Sequence, residues 1–218
     1  MSVQSIRRTT AASTVAEELR DALLSGLFSL GTPLLEHDVA EQVGADPRVV
    51  RAALSELERD GLVVHSLHRG LEVPRVTRDE LRDIYAARRV YEVAGLEAML
   101  RARPVDVSWL AAAAERMGEA AIAGDGRGLV EADMAFHLAI VAAAGSRRLT
   151  RSAQGALMEL RLVLSVADRV ADDMPAQVAD HQYLVEVFSR GRGRESVAAL
   201  EDHLARGEIQ ARTVASVL

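Results

Sequence analysis

The chain has 218 residues, of which nearly half are apolar, with no cysteine and a net charge of -6. This length allows one large domain or two modest ones, and the apolar fraction is enough for a real core. The absence of cysteine excludes disulfides, thiolate metal sites and cysteine nucleophiles. The negative charge argues against a non-specific coat for nucleic acid, although a local basic face would still allow specific binding.

The sequence predicts neither a signal peptide nor a membrane span. The first residues, MSVQSIRRTTAAS, have no apolar core of signal-peptide length. No apolar run reaches the length that a membrane-spanning helix needs. We therefore expect a cytoplasmic protein with no membrane partner.

The N-terminal part of the chain predicts a tail followed by three short helices and a strand pair. Residues 1–12 form the predicted flexible tail, and Thr14 with Glu17 predicts the start of the first helix as a capping box. The second helix covers "LEHDVAEQVG". Asp46 as N-cap and Pro47 as first helical residue predict the third. The run "LVVHSLHRGLEV" predicts two short strands around a turn.

From Thr77 onward the pattern is helical throughout. Thr77 with Glu80 forms a second capping box, and glycine or proline breaks separate six helices. These helices span roughly 77–102, 106–123, 127–144, 147–170, 177–190 and 194–214. The predicted fold is mainly α, with an N-terminal winged helix-turn-helix over 13–76 and a C-terminal all-helical bundle over 77–218.

Two arginines, Arg48 and Arg51, lie at the start of the third predicted helix. In a winged helix-turn-helix, the first residues of the second helix of the pair reach base edges in the major groove. Arginine can pair with guanine there or neutralise a phosphate. Two arginines alone are more typical of a solvated surface, but their place before a wing favours DNA contact.

The stretch "LRDALLSGLFSLGTPLLEHDVAEQVGADPRVVRAALSELERDGLVVHSLHRGLEV" resembles the DNA-binding domain of GntR-family bacterial transcription regulators. The shared positions include Gly31, Gly44, Val50-Arg51 and Gly61-Leu62. The resemblance implies binding of double-stranded operator DNA. The residues that it implies as DNA contacts are His37, Arg48, Arg51, Arg69 and Gly70.

The entry to the third helix departs from the family pattern. The family usually has Ser-Arg-Thr-Pro where this chain has Asp46-Pro47-Arg48-Val49. In the second helix, the family usually has arginine at the position of His37. One expected base-reading arginine is thus replaced by Pro47, with Arg48 shifted by one position. DNA binding remains the expectation, but the family pattern does not predict the operator sequence.

An apolar predicted helix, "LVEADMAFHLAIVAAAG", carries Asp133 and His137 four residues apart, on the same face. This spacing often presents two metal ligands from one helix. His181 and His203 lie on later predicted helices. One Asp and three His would suit Zn²⁺ or Ni²⁺, with open positions for water or a ligand oxygen. From spacing alone, scattered surface or core histidines explain the pattern at least as well.

The order D-x3-H on one helix, followed by two single histidines on later helices, resembles the FCD effector domain of the FadR branch of the GntR family. All four positions match, and "IYAARRVYEVAGLEAML" is similar to the first helix of that domain, including Arg88 and Glu92. The resemblance implies a metal site that lines a pocket for a small organic acid. Arg88 is a candidate second contact for the carboxylate, and an exposed helix arginine is the equal alternative.

Together these features predict a metabolite-responsive transcription regulator that acts as a repressor and is not an enzyme. It would bind a near-palindromic operator as a homodimer, because two recognition helices on such a site need two-fold symmetry. A metal-dependent enzyme and a direct metal sensor are the alternatives, since an Asp/His₃ site with open positions could activate water. Against an enzyme, no general base stands at motif spacing, and a winged helix has no role in such chemistry.

Overall fold

A computed structural model describes residues 10–67, 69–102, 104–165 and 173–214. The chain divides into two compact units, Met1–Arg75 and Val76–Leu218. Within the described residues, no helix is both long and apolar enough to cross a membrane.

The first unit contains three helices and a two-stranded antiparallel sheet. These elements are α1 (Ala11–Leu24), α2 (Glu36–Val43), α3 (Pro47–Arg59), β1 (Val64–Ser66) and β2 (Gly70–Glu72). The arrangement confirms the predicted winged helix-turn-helix. Residue His68, in the predicted turn between the strands, lies outside the described residues.

The start of α1 differs from the prediction. Thr10 is the N-cap: its backbone N–H donates to Oγ of Ser13 at 2.9 Å, and its own hydroxyl accepts from the Ser13 backbone N–H at 3.1 Å. The predicted start at Thr14 was wrong because serine here closes a reciprocal cap that usually requires Glu or Gln. Residues 11–12, assigned to the tail, belong to the helix, and residues 1–9 lie outside the described part of the chain.

The entry of α3 is as predicted. Asp46 is the N-cap, with its Oδ1 accepting from the Arg48 backbone N–H at 2.8 Å, and Pro47 is the first helical residue. One face of the helix is completely buried, and the helix packs against α1. The buried residues on this face are Val50, Ala53, Leu54 and Leu57. The opposite face of α3 remains exposed to solvent.

The wing is extended by the segment before α2. In the sheet His65 pairs with Leu71, and an isolated bridge joins Pro33 to Glu72. The Leu34 N–H donates to the Leu71 carbonyl at 2.8 Å. These bonds fix the wing to the helical part of the unit.

The described part of the second unit contains six helices, which confirms the predicted helical bundle. They are α4 (Arg78–Arg101), α5 (Ser108–Ala123), α6 (Gly126–Ala142), α7 (Arg147–Ser165), α8 (Met174–Ser189) and α9 (Gly193–Val214). The capping box of Thr77 and Glu80 at the start of α4 is confirmed. The predicted continuation of α7 over 166–170 lies outside the described residues.

The start of α8 differs from the prediction. The helix begins at Met174, about three residues before the predicted start, so part of the predicted "ADDMPAQ" loop is helical. Pro175 lies in the first turn, where the N–H that proline lacks would have no partner inside the helix. The proline was interpreted as a break but marks a helix start.

Helix α6 packs against α4, α5 and α7. Its Phe136, Ile140 and Val141 are fully buried. Gly95 of α4 lies so close to α6 that a Cβ there would overlap the Ile140 carbonyl. The close crossing of α4 and α6 brings side chains of α4 beside the polar residues of α6.

Candidate metal centre

Three histidines from three helices converge inside the second unit. His137 lies on α6, His181 on α8 and His203 on α9, and all three are buried. One ring nitrogen from each lies within 4.8 Å of the other two. The Nε2 atoms of His137 and His203 are 3.2 Å apart. Nitrogen atoms at this mutual distance can coordinate one ion.

Asp133 lies at the same cluster, one turn before His137 on α6. Its Oδ1 is 2.9 Å from Nε2 of His181 and 3.7 Å from Nε2 of His137. Despite that distance, the buried Nε2 of His181 has no hydrogen bond that meets normal geometry within the described part of the chain. A buried nitrogen in this position lacks a partner that an ion would supply. The structure thus brings the four candidate ligand residues together.

The opposite ring nitrogen of each histidine is held by an oxygen atom outside the cluster. The Nδ1 distances are 2.7 Å from His137 to Glu92, 2.8 Å from His181 to the Gln177 carbonyl, and 2.6 Å from His203 to Asp180. With Nδ1–H as the donor, the lone pair of Nε2 faces the cluster. Such outer partners fix the ring orientation in metal-binding histidines.

The electrostatics of the cluster favour charged carboxylates and a neutral His203. Burial alone would raise the pKa of Glu92, but Arg88 and His137 lower it to about 2. The pKa of Asp133 is also lowered, chiefly by His137, against the effect of burial. Burial lowers the pKa of His203 to about 4, although Asp180 acts in the opposite direction.

His137 differs from His203 in its charge preference. Burial alone would lower the pKa of His137, but the attraction of Glu92 and Asp133 raises it on balance. In the absence of an ion, His137 therefore keeps its second proton up to a higher pH than an ordinary imidazole does. That proton must leave before the nitrogen can bind a metal.

The cluster borders a cavity of about 580 Å³ within the second unit. Its lining combines polar and apolar side chains, including Tyr85, Arg88, Leu160, Gln210 and Ile209. A cavity of this size is typical of small-molecule sites. A small ligand in it would meet the histidine cluster directly.

Arg88 is a buried side chain, not an exposed helix arginine. Its Nε donates to Oε1 of Glu92 at 2.8 Å, and its guanidinium carbon lies 4.9 Å from the centre of the Tyr85 ring. Its Nη2 is buried and has no hydrogen-bond partner among the described residues. The structure therefore leaves one donor of Arg88 available at the wall of the cavity.

The two arginines of α3 are exposed and paired with nearby acids. Arg51, with a side chain 68% exposed, donates from Nε and Nη2 to Glu36 of α2 at 2.9 and 2.7 Å. Arg48 is 90% exposed and lies 3.3 Å from Asp46. The hydrogen bonds from Arg51 lower the pKa of Glu36, and the positive charge of Arg51 adds to this effect.

The other candidate DNA contacts lie on α2 and in the wing. His37 is exposed in the first turn of α2. Arg69 is exposed before β2, with its Nη1 3.7 Å from Glu72. Gly70 has φ of 76°, a left-handed conformation that glycine adopts without strain. All five candidates lie in the first unit.

Comparison with known families separates the same two units. Residues 11–73 match the gntR family of bacterial regulatory proteins, and residues 83–206 match the FCD domain. The chain belongs to the GntR-family regulators that carry an FCD domain. It is therefore a transcription regulator and not an enzyme.

Relatives of this GntR-type regulator align along nearly its whole length. The probable D-xylose utilization operon transcriptional repressor of Paenarthrobacter nicotinovorans is 28% identical, over 92% of this chain and 88% of the relative. A GntR transcriptional regulator from Rhodococcus sp. RHA1 has a TM-score of 0.79 and 29% identity, covering 92% and 96% of the two chains. E. coli McbR/YncC shares the fold, with a TM-score of 0.73, 18% identity and coverage of 94% and 98%.

The partners of the histidine rings were not found in the sequence. Glu92 is predicted only as part of a helix that matches the FCD pattern, and Asp180 and Gln177 are not among the predicted site residues. One local signal was available, because Arg88 and Glu92 are four residues apart on a helix and can form an ion pair. No local signal connects Glu92 with His137, which lies 45 residues away in the chain.

Proposed function

We propose that this GntR-type regulator represses transcription as a homodimer on a near-palindromic operator, and that a small carboxylate bound beside a metal ion controls it. The observation that carries the proposal is the convergence of Asp133, His137, His181 and His203 at the wall of a 580 Å³ cavity. This wall belongs to the unit that does not contain the winged helix. We propose that a ligand there controls DNA binding through a change in the protein.

Asp133, His137, His181 and His203 would bind one divalent ion per chain. Three imidazole nitrogens and one carboxylate suit Zn²⁺ or Ni²⁺, whereas Mg²⁺ and Ca²⁺ prefer oxygen ligands. The unsatisfied Nε2 of His181 supports this assignment. When bound, the ion supplies a positive charge that faces the cavity.

The effector class that fits this cavity is a small organic acid. Its carboxylate would face the metal ion, and Nη2 of Arg88 offers a second positively charged contact. Apolar residues such as Leu160 and Ile209 would contact the rest of the molecule. The relative named for D-xylose utilization makes sugar acids suitable members of a test panel.

The proposed DNA contacts are on α3, α2 and the wing. Arg48 and Arg51 would enter the major groove, with His37, Arg69 and Gly70 contacting the flanking DNA.

Dimer contacts would come mainly from the second unit, so a fragment of residues 77–218 should remain dimeric in light scattering. A monomeric fragment would contradict the proposal that the second unit provides the dimer contacts. We expect the dimer to act in the cytoplasm.

The double variant His181→Ala with His203→Ala tests the metal site. It removes two of the four candidate ligands and leaves Asp133 and His137 in place. We expect elemental analysis of the purified variant to show loss of the ion, with the helical circular dichroism signal retained. The control is His37→Ala with His65→Ala, which removes two exposed histidines of the first unit. Stoichiometric metal in the first variant would contradict a shared site.

A direct metal sensor is separated from an acid-responsive regulator by gel retardation. The metal-loaded protein is mixed with a duplex selected in vitro by the wild-type protein, with and without a panel of small carboxylates. We expect an acid to change the retardation while metal is held constant. A response to the metal alone, with no effect of any acid, would indicate that the ion is the signal.

A further inference from the structure

Glu92 is a buried carboxylate with both oxygen atoms in use. Oε1 accepts from Nε of Arg88 at 2.8 Å, and Oε2 lies 2.7 Å from Nδ1 of His137. The side chain is only 1% exposed, so both bonds are shielded from bulk solvent. A single group on α4 thus holds one candidate metal ligand on α6 and one cationic residue of the cavity wall.

The bond to His137 determines which ring nitrogen faces the cluster. With Nδ1–H donated to Glu92, Nε2 keeps its lone pair and points toward His203, 3.2 Å away. Rotation of the imidazole would break the bond and leave a carboxylate oxygen buried without a partner. Leaving a buried acceptor without its hydrogen bond is unfavourable, even though Arg88 still compensates the charge of the carboxylate. Glu92 therefore restricts both the tautomer and the orientation of this ring.

The bond to Arg88 has a corresponding effect on the guanidinium group. Glu92 occupies Nε, while the ring of Tyr85 lies 4.9 Å from the guanidinium carbon. Arg88 lines the cavity, and its Nη2 is the buried nitrogen with no hydrogen-bond partner in the described ranges. The guanidinium group is thus held in one orientation with a donor left for a ligand.

We propose that Glu92 is a shared positioning residue, which orients His137 for the metal ion and Arg88 for the carboxylate of the effector. This inference rests on the proposed metal and acid site. It adds that the two binding events depend on one side chain that contacts neither ligand. The simpler alternative is that Glu92 only compensates the buried charge of Arg88.

Zinc affinity, measured in the full-length protein by competition with a chelator, separates these two roles. We expect Glu92→Gln to weaken Zn²⁺ binding by roughly 10–100-fold, the usual effect of losing an outer partner of a ligand histidine. The decisive comparison is Arg88→Met against the double variant Arg88→Met with Glu92→Gln. If Glu92 orients His137, the double variant binds Zn²⁺ more weakly than Arg88→Met by a similar factor. Equal affinities would overturn the proposal.

The double variant also covers the case in which Glu92→Gln alone does not fold. It removes both members of the buried ion pair, so it leaves no buried arginine charge without a counter-ion. Glu208→Gln is the matched control, because Glu208 pairs with Arg89 at 2.7 Å and is not among the residues that line the cavity. This variant should bind Zn²⁺ as the wild type does. Wild-type protein that binds no Zn²⁺ would instead overturn the proposed metal site.

The second arm of the experiment uses acetate, the simplest carboxylate probe, at saturating Zn²⁺. Loss of one charge-assisted hydrogen bond should weaken acetate binding by roughly tenfold or more. We expect this loss in Arg88→Met and, through misorientation of the guanidinium group, in Glu92→Gln. Unchanged acetate binding in Glu92→Gln would show that Arg88 does not depend on Glu92.

Discussion

Oδ2 of Asp180 lies 2.6 Å from Nδ1 of His203, so a carboxylate on α8 orients an imidazole on α9. The other oxygen of Asp180 accepts from Arg206 at 2.6 Å. Asp180 is thus held in place on one side while it holds His203 on the other. The orientation of a candidate metal ligand depends on a residue that is not itself a ligand.

Asp180→Asn should therefore weaken zinc binding. The amide cannot provide the same charge to the Nδ1–H of His203, and the loss of such an outer partner typically costs 10–100-fold in metal affinity. The measurement is competition with a chelator at neutral pH. Asp202→Asn, at an exposed position one residue before His203, is the control and should have no effect. Equal affinities for the two variants would contradict the role of Asp180.

Zinc affinity should decrease as the pH is lowered, and the decrease should begin above the ordinary imidazole pKa of 6.5. His137 has a raised pKa in the metal-free fold, so a proton begins to compete with the ion at that higher pH. His203, with a pKa of about 4, stays neutral through the same range. Chelator competition between pH 5.5 and 8 should show proton release on ion binding, with the affinity already decreasing above the ordinary imidazole pKa. An affinity that stays constant down to that pH would contradict the raised pKa of His137.

Gly95→Ala should destabilise the second unit. The added methyl group would overlap the Ile140 carbonyl, a backbone atom that cannot move by changing a rotamer. Overpacking of this kind costs about 1–3 kcal/mol, and each kcal/mol lowers Tm by about 2–4 °C in a chain of this size. Thermal unfolding followed by circular dichroism measures the change.

The control for this change is Gly155→Ala in the middle of α7. A Cβ at Gly155 would meet no atom within 4 Å among the residues that the structure describes. Alanine there should stabilise the helix by about 0.5–1 kcal/mol. A Gly95→Ala protein as stable as the wild type would show that α4 and α6 can separate without cost.

Arg51→Ala should weaken specific DNA binding with the fold retained. Losing one good base contact costs about 1–3 kcal/mol. Gel retardation at fixed salt, with a duplex selected in vitro by the wild-type protein, measures the effect. Arg59→Ala, at the exposed end of the same helix, is the control. If the two variants retain equal affinity, α3 does not read the DNA through Arg51.

Features that depend on neighbours within one or two helical turns could be predicted from the sequence. The Asp46 cap, the Thr77–Glu80 box and the shared face of Asp133 and His137 are of this kind. The start of α1 is also local, but its cap uses Ser13 in place of the usual Glu or Gln. Local chemistry thus predicted most helix boundaries to within a few residues.

The geometry of the candidate site depends on contacts between distant parts of the chain. His203 and Asp180 are 23 residues apart, and Glu92 and His137 are 45 apart. Periodicity cannot determine which faces of α4, α8 and α9 meet. Burial of Arg88 has the same origin, because α4 packs against α6, α7 and α9, which lie later in the chain. The sequence therefore predicted the candidate ligands but not the residues that hold them.

The ion pair between Arg51 and Glu36 has a consequence for the salt dependence of DNA binding. If α3 enters the groove as proposed, Arg51 must exchange the Glu36 carboxylate for an acceptor on the DNA. This residue should then add less to the salt dependence of DNA binding than an unpaired arginine would at the same position, since the slope reflects the number of phosphate charges neutralised. In a protein with a net charge of -6, random genomic DNA would compete weakly for the regulator.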